Sequence, residues 1–322
     1  MADKQAKQVV KSRSVTMKDV AAAAGVGLGT VSRVFSAGGS VSSATRERVE
    51  QVAADLNYRP SALGRGLRSS RTRNIGLMVA DISNTFYSEF TQGVLAMAPS
   101  VNRHVVIGAT GEDPAVEREY IELMLEQRAE GIIGFPTGEN TDLWNEAVAR
   151  GIAVIFADRP IAGMDVPAVL VDNDAGSYAL TEYLLDLGHR RIGYLGGPDS
   201  VYTAIERERG FRRAHADAGV GVDEDLVVRS RFTRGSAHAG AMRLLRANPK
   251  PTALFACNNV LGEEALGVVT DQGVDVPGEL SFVMFDEVPW AKLVRPGITV
   301  MEQPTWEMGK EAMRMAVRGV QG

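Results

Sequence analysis

At 322 residues with 45% hydrophobic side chains, the chain exceeds one ordinary domain and can bury sizeable cores. No run of eighteen apolar residues occurs, the N-terminal MADKQAKQVVKSRS lacks an apolar core of signal length, and Cys257 is the single cysteine, which together argue against a membrane span, export or an internal disulfide and for a reducing cytoplasm. The net charge of −5 conceals an asymmetry: residues 1–73 hold thirteen Lys or Arg against five Asp or Glu, a net +8, whereas the other 249 hold 22 against 35, a net −13, so one end is suited to a polyanion.

Residues 1–14 read as a flexible basic tail, after which Met17, Val20, Ala21 and Ala24 fall at the i, i+3, i+4, i+7 spacing of one helical face. Thr16 is a plausible N-cap, with Asp19 three residues on approximating a capping box. Gly25-Val26-Gly27 is the turn, and Val31, Val34 and Phe35 then share a face while Thr30, Ser32 and Arg33 point elsewhere with short polar or cationic tips. A second helix offering such groups across a first is how a helix-turn-helix unit meets the major groove. Ser42 or Ser43 can cap a third helix through Asn57, in which Val49, Val52, Ala53 and Leu56 repeat the same spacing. A phosphate-binding glycine loop at Gly25 to Gly29 would need a strand before it, and an alanine-rich helical run stands there instead.

Tyr58-Arg59-Pro60 ends the third helix, because proline disfavours helical geometry at the preceding residue. Residues 61–73, SALGRGLRSSRTR, form a short basic hinge. Ser61 can cap a brief helix there, yet Gly64 and Gly66 each cost about 1 kcal/mol relative to alanine and the segment is too short to repay nucleation. We expect it to be disordered off DNA and helical on it.

From Ile75 onward, uniformly apolar runs alternate with amphipathic helical stretches. IGLMVAD, HVVIGA, GIIGF, AVIFAD and AVLVD form one series; RIGYLGG, LVV, TALFACN, SFVMFD and ITVM form a second. Strands without polar alternation belong to parallel sheets covered on both faces, so the fold expected is an N-terminal all-α helix-turn-helix domain plus an α/β body of two doubly wound parallel-sheet subdomains. The expected limits are 15–60 for the head and 74–322 for the body, its N-subdomain 74–173 plus 303–322 and its C-subdomain 174–302.

Ligands of open parallel sheets sit beyond the carboxyl ends of the strands. Those ends bear Asp81, Asp158, Arg159, Phe232, Asn258, Asn259 and Asp286, with Phe86 and Tyr87 after the first strand and Tyr202, Thr203 and Arg207 after the sixth. Carboxylate, amide and guanidinium groups pair with vicinal hydroxyls, and aromatic faces cover a ring, so the set reads as a site for a small polar, ring-shaped ligand.

The first sixty residues past the tail carry KDVA, TVSRV, TRERV, NYRP and TRNIGL in unbroken order, and in this the chain closely resembles the lactose-repressor (LacI/GalR) family of bacterial transcription regulators. The resemblance covers essentially the whole chain and implies a body of periplasmic-binding-protein-like architecture. It also implies a homodimer on palindromic double-stranded operator DNA, most simply a repressor, controlled by a small effector. DNA contact falls on Thr16, Met17, Lys18, Leu28, Gly29, Thr30, Ser32, Arg33, Ser42, Thr45, Tyr58 and Ser61, and a minor-groove wedge on Leu67. Lys18, Arg33, Thr45 and Tyr58 would anchor to phosphates or groove edges; Leu28, Thr30, Ser32 and Arg33 would face bases. Leu28 and Gly29 occupy the family's most variable base-reading pair, so readout there is weak and specificity shifts to Arg33, the hinge and DNA deformability.

Within the body the resemblance assigns ligand binding to Arg207, Asn258 and Asp286, with Phe86, Thr203 and Phe232 as walls; Tyr87, Asp158 and Tyr202 complete the candidate set. Asn259 replaces the family's usual aspartate and Glu264 its glycine, while Val201 stands where a purine-binding member has a basic group, which favours a sugar. His104, His189, His215 and His238 lack ligand spacing, and no nucleophile elbow or metal motif accompanies Glu112, Asp113, Asp199 or Glu206, so no catalytic residue, metal or cofactor is expected. A secreted sugar receptor would share the two lobes but needs an export signal and has no use for a +8 head. An α/β enzyme would need a catalytic constellation.

Overall fold

The computed structural model describes residues 15–35, 40–58 and 72–321. Expectations for the tail, Ser61, Leu67 and the rest of the hinge up to residue 71 lie outside them. The chain divides into two units, residues 1–72 and 73–322.

The first unit is built from α1 (Met17–Ala24), α2 (Leu28–Val34) and α3 (Ser43–Asp55). Local chemistry sets each end. The Asp19 carboxylate accepts the Thr16 backbone N–H at 2.7 Å, completing the capping box, and Gly25 closes α1 at φ 62, which glycine adopts without steric cost. The Ser42 hydroxyl accepts the Thr45 N–H at the start of α3. α3 ends at Asp55, two residues before the sequence spacing predicts. Asn57 takes φ 49, and the Tyr58 N–H reaches back to the Ala53 carbonyl at 2.8 Å, a helix stop that asparagine tolerates. Val20, Ala21, Ala24, Val31, Val34, Val49 and Ala53 form the core, flanked by Phe35 and Tyr58 with ring centroids 5.9 Å apart.

The second unit holds two five-stranded sheets, every pairing parallel. In chain order the first lobe has β1 (Asn74–Val79), α4 (Thr85–Met97), β2 (His104–Ala109), α5 (Pro114–Glu126), β3 (Gly131–Gly134), α6 (Thr141–Ala149), β4 (Ala153–Ala157) and β5 (Ala168–Val169). The second has α7 (Asn173–Asp186), β6 (Ile192–Gly196), α8 (Tyr202–Asp217), β7 (Val227–Arg229), α9 (His238–Leu245), β8 (Ala253–Ala256), α10 (Asn259–Asp271), β9 (Ser281–Phe285) and β10 (Thr299–Met301). Strand orders are β2-β1-β3-β4-β5 and β10-β9-β8-β6-β7. Crossover helices cover both faces of each sheet, which is why the strands carry almost no polar alternation.

The last helix, α11 (Thr305–Gln321), returns to the first lobe. Met308, Ala312, Met313, Ala316 and Val317 join Ile75, Leu77, Phe90 and Val94 in one apolar cluster. The crossing of α11 on α4 needs two glycines: a Cβ on Gly93 would sit 2.2 Å from the Trp306 carbonyl oxygen, and one on Gly309 2.1 Å from that of Phe90. Among the described residues no helix is long and apolar enough to cross a membrane.

Candidate functional site

On the helical unit, α2 turns Leu28, Gly29 and Arg33 to solvent and keeps Thr30 half-buried. The Arg33 Nε donates to the Gly29 carbonyl at 3.2 Å, which lays the guanidinium along the exposed face. Lys18 and Thr16 are exposed near the start of α1, and Ser42 near that of α3; Met17, Thr45 and Tyr58 are half-buried. Ser32 departs from expectation. It is only 5% exposed, because it stands next to Val31 and close to the inward face of a two-turn helix, so it does not share the outward surface with Arg33.

In the body a cleft of about 440 Å3 opens between the two lobes, beyond the carboxyl ends of both sheets. Phe86, Tyr87, Asp158, Thr203, Arg207, Phe232, Asn258 and Asp286 line it, as do Asp81, Arg159 and Asn259. Tyr202 does not. Thr203 and Arg207 are four apart and share the cleft-facing side of α8, whereas Tyr202 lies a third of a turn away.

Arg207 is 3% exposed and held on three sides: its Nε donates to Asn173 Oδ1 at 2.8 Å, an Nη donates to the Cys257 carbonyl at 2.7 Å, and its Cζ lies 3.8 Å from the centre of the Phe285 ring. Its other Nη faces Asp286 at 3.9 Å. Asp286, at φ 74, accepts from Gln303 Nε2 at 2.5 Å and from the Asn259 N–H at 3.3 Å. Asn258 caps α10 by accepting the Leu261 N–H at 2.9 Å. Arginine and aspartate therefore enter the cleft already oriented.

Asp158, at φ 68, is 7% exposed, and its carboxylate accepts no hydrogen bond among the described residues. Burial pushes its pKa up to about 6, against the pull of Arg159 and Arg207. Arg159 is ion-paired to Glu112, and the Tyr87 hydroxyl donates to the same carboxylate at 3.2 Å; burial foremost, and then Glu112, hold the Tyr87 phenol far above its usual range. Two further buried atoms have no partner, Arg159 Nε and Gln303 Oε1. The cleft thus combines aromatic walls with carboxylate, amide and guanidinium side chains. The Cys257 thiol, pushed up to about 12 by burial, is unreactive core. Among the described residues no cluster of His, Cys, Asp or Glu is arranged to hold a metal.

Several lining residues were not found by sequence reasoning: Ile82, Asn84, Glu112, Thr233, Arg234, Val260 and Gln303. Glu112 and Gln303 follow β2 and β10, so the rule used for the other strand ends would have found them. Asn84 lies after β1 between Asp81 and Phe86, within reach of the same rule. Glu264 accepts the N–H groups of Ala237 at 2.7 Å and of Gly235. It thereby ties down the loop that brings Phe232 to Arg234 to the cleft.

A helix-turn-helix unit joined to a two-lobed, periplasmic-binding-protein-like body with a polar, aromatic-walled cleft defines a DNA-binding regulator governed by a small ligand. Residues 16–61 match "Bacterial regulatory proteins, lacI family", and residues 181–322 match the "Periplasmic binding protein-like domain". The chain is 37% identical over 313 residues to the HTH-type transcriptional regulator DegA of Bacillus subtilis, covering 95% of this chain and 92% of that one. A putative ribose operon repressor from Burkholderia thailandensis superposes with a TM-score of 0.73 at 31% identity, over 78% of this chain and 94% of that one. The lac repressor dimer bound to operator and the anti-inducer ONPF superposes at 0.80 with 25% identity, over 96% and 94%. The chain belongs to the lacI family of bacterial regulatory proteins, and it is a DNA-binding transcriptional regulator and not an enzyme.

Proposed function

We propose that the protein is a homodimeric cytoplasmic repressor that places two helical heads on an inverted-repeat operator and responds to a small sugar bound between its lobes. The observation that carries the ligand class is the polar lining of the cleft, with the Asp158 carboxylate, Arg159, Asn258 and Gln303 set between Phe86 and Tyr87 in one lobe and Phe232 in the other. A hydroxyl both donates and accepts, so vicinal hydroxyls suit this mix of carboxylate, amide and guanidinium groups while the aromatic rings cover the apolar face of the ring. Arg207, Asn258, Asp286 and Thr203 then hold the remaining oxygens.

On the DNA side, α2 enters the major groove with Arg33 as its main reader, Lys18, Thr16, Ser42, Thr45 and Tyr58 meet the backbone, and Leu67 wedges the minor groove. The related lac repressor structure is described as a dimer on its operator, and a two-fold protein is mirrored in a two-fold site. The sugar acts through unequal affinity for the lobe arrangements that hold the two hinges together or apart.

The test is a thermal-shift screen of D-ribose, other pentoses, hexoses, cellobiose and nucleosides, followed by operator titration with each hit at two salt concentrations. A ligand seen by the folded state alone raises the melting temperature. We expect at least one sugar to do so and to change operator affinity, with a steep salt slope. Stabilisation by nucleosides and by no sugar would replace the proposed ligand class.

A further inference from the structure

The two lobes touch across the cleft through a pair of primary amides. Asn259 Nδ2 donates to Asn84 Oδ1 at 2.7 Å, and Asn84 Nδ2 donates back to Asn259 Oδ1 at 3.3 Å. The partners are 175 residues apart, one in the loop before α4 and the other at the first position of α10. Neither amide is free to turn away. Asn84 Oδ1 also accepts the Phe86 N–H at 3.0 Å as the N-cap of α4, which fixes which end of that amide faces the other lobe. Asn259 is 3% exposed, its own N–H is bound to Asp286, and the preceding Asn258 caps α10. Two rigid helix starts therefore hold complementary donor and acceptor ends toward each other, and the bonds can form only when the lobes are this close.

We propose that the Asn84–Asn259 pair is a latch that holds the lobes closed before any ligand enters, making these two residues positioning residues for the cleft. This deepens the ligand-controlled reading above and rests on it, but its test needs neither operator nor effector. Each net hydrogen bond shifts a two-state ratio by about five-fold, and apparent ligand affinity scales with the fraction of molecules in the competent arrangement. Both residues border the cavity, so the latch sets its starting shape.

The two amides also respond in a distinctive way to charge. Asn84→Asp or Asn259→Asp alone keeps one N–H···O bond from the remaining amide but turns the other into an O···O contact, whereas the double change sets two carboxylates face to face. The experiment uses the full chain with spin labels on Glu119→Cys in the first lobe and Gln272→Cys in the second, both exposed positions, while Cys257 stays buried. Inter-label distances are measured by pulsed dipolar spectroscopy without ligand. We expect the parent to show a short main distance, each single Asp variant to keep part of that population, and N84D/N259D to shift to a longer, broader one that shortens again as the pH falls and a carboxyl is protonated. Asn259→Ala, which leaves both caps in place, should also lengthen it and serves as the deciding variant should the double one fail to melt cooperatively. An unchanged distance distribution in Asn259→Ala and in the folded double variant overturns the latch, whatever the operator or effector assays show.

Discussion

Arg207 and Asp286 face each other across 3.9 Å at the floor of the cleft, each side chain less than a tenth exposed. Removing one member of a buried pair leaves the other charge uncompensated. Asp286→Asn and Asp286→Ala both leave Arg207 uncompensated, but the isosteric Asn tests the ligand role more cleanly, since its amide oxygen can still accept from Gln303. We predict that Asp286→Asn retains operator binding in gel-shift titration and loses the effector response. Loss of both together would point to misfolding and remove the ligand assignment.

The exposed guanidinium of Arg33 lies along the free face of α2, beside residues that can read little. Arg33→Ala is expected to weaken specific operator binding by about 1 to 3 kcal/mol and to change non-specific binding much less, as read by fluorescence anisotropy on operator and random duplexes. Equal losses on both duplexes would make Arg33 a phosphate anchor only.

Asp158 gives a pH dependence whose sign follows from its pKa, raised by burial from 3.8 to about 6. Hydroxyl donors bind the carboxylate more strongly than the acid, so effector affinity should fall as pH drops through about 6, and calorimetry should show proton release on binding below that pH. Folding responds in the opposite sense. A carboxyl raised in the folded state opposes folding when ionised, so its favourable contribution is present below pH 3.8 and is lost as pH rises to about 6. Asp158→Asn should thus melt higher than the parent at pH 7.5 without ligand and bind effector weakly at every pH. A lower melting temperature would mean that the carboxylate is satisfied in the free protein.

The α4–α11 crossing is equally specific. Gly309→Ala places a methyl 2.1 Å from the Phe90 carbonyl oxygen, a backbone atom that cannot swing aside. The loss from overpacking, about 1 to 3 kcal/mol, outweighs the helix-propensity gain of about 1 kcal/mol, so the variant should melt lower. An unchanged melting temperature would show that α11 packs less tightly on the first lobe.

Much of this molecule could be read from spacing alone. Thr16 with Asp19, the Gly25-Val26-Gly27 turn, the Ser42 cap and the apolar strands are signals carried by residues within a few positions of one another, where caps and periodicity act. Strand-end reasoning likewise reached Asp158, Arg207, Asn258 and Asp286, because a parallel sheet sends every carboxyl end to the same edge. Tertiary structure decided the rest. It turned Ser32 inward and Tyr202 aside by a fraction of a helical turn, left Asp158 unpaired, anchored the Phe232 loop on Glu264, and joined Asn84 to Asn259. Those outcomes depend on where one element stops against another, and a hydrogen bond between groups 175 residues apart leaves no periodic trace in the chain.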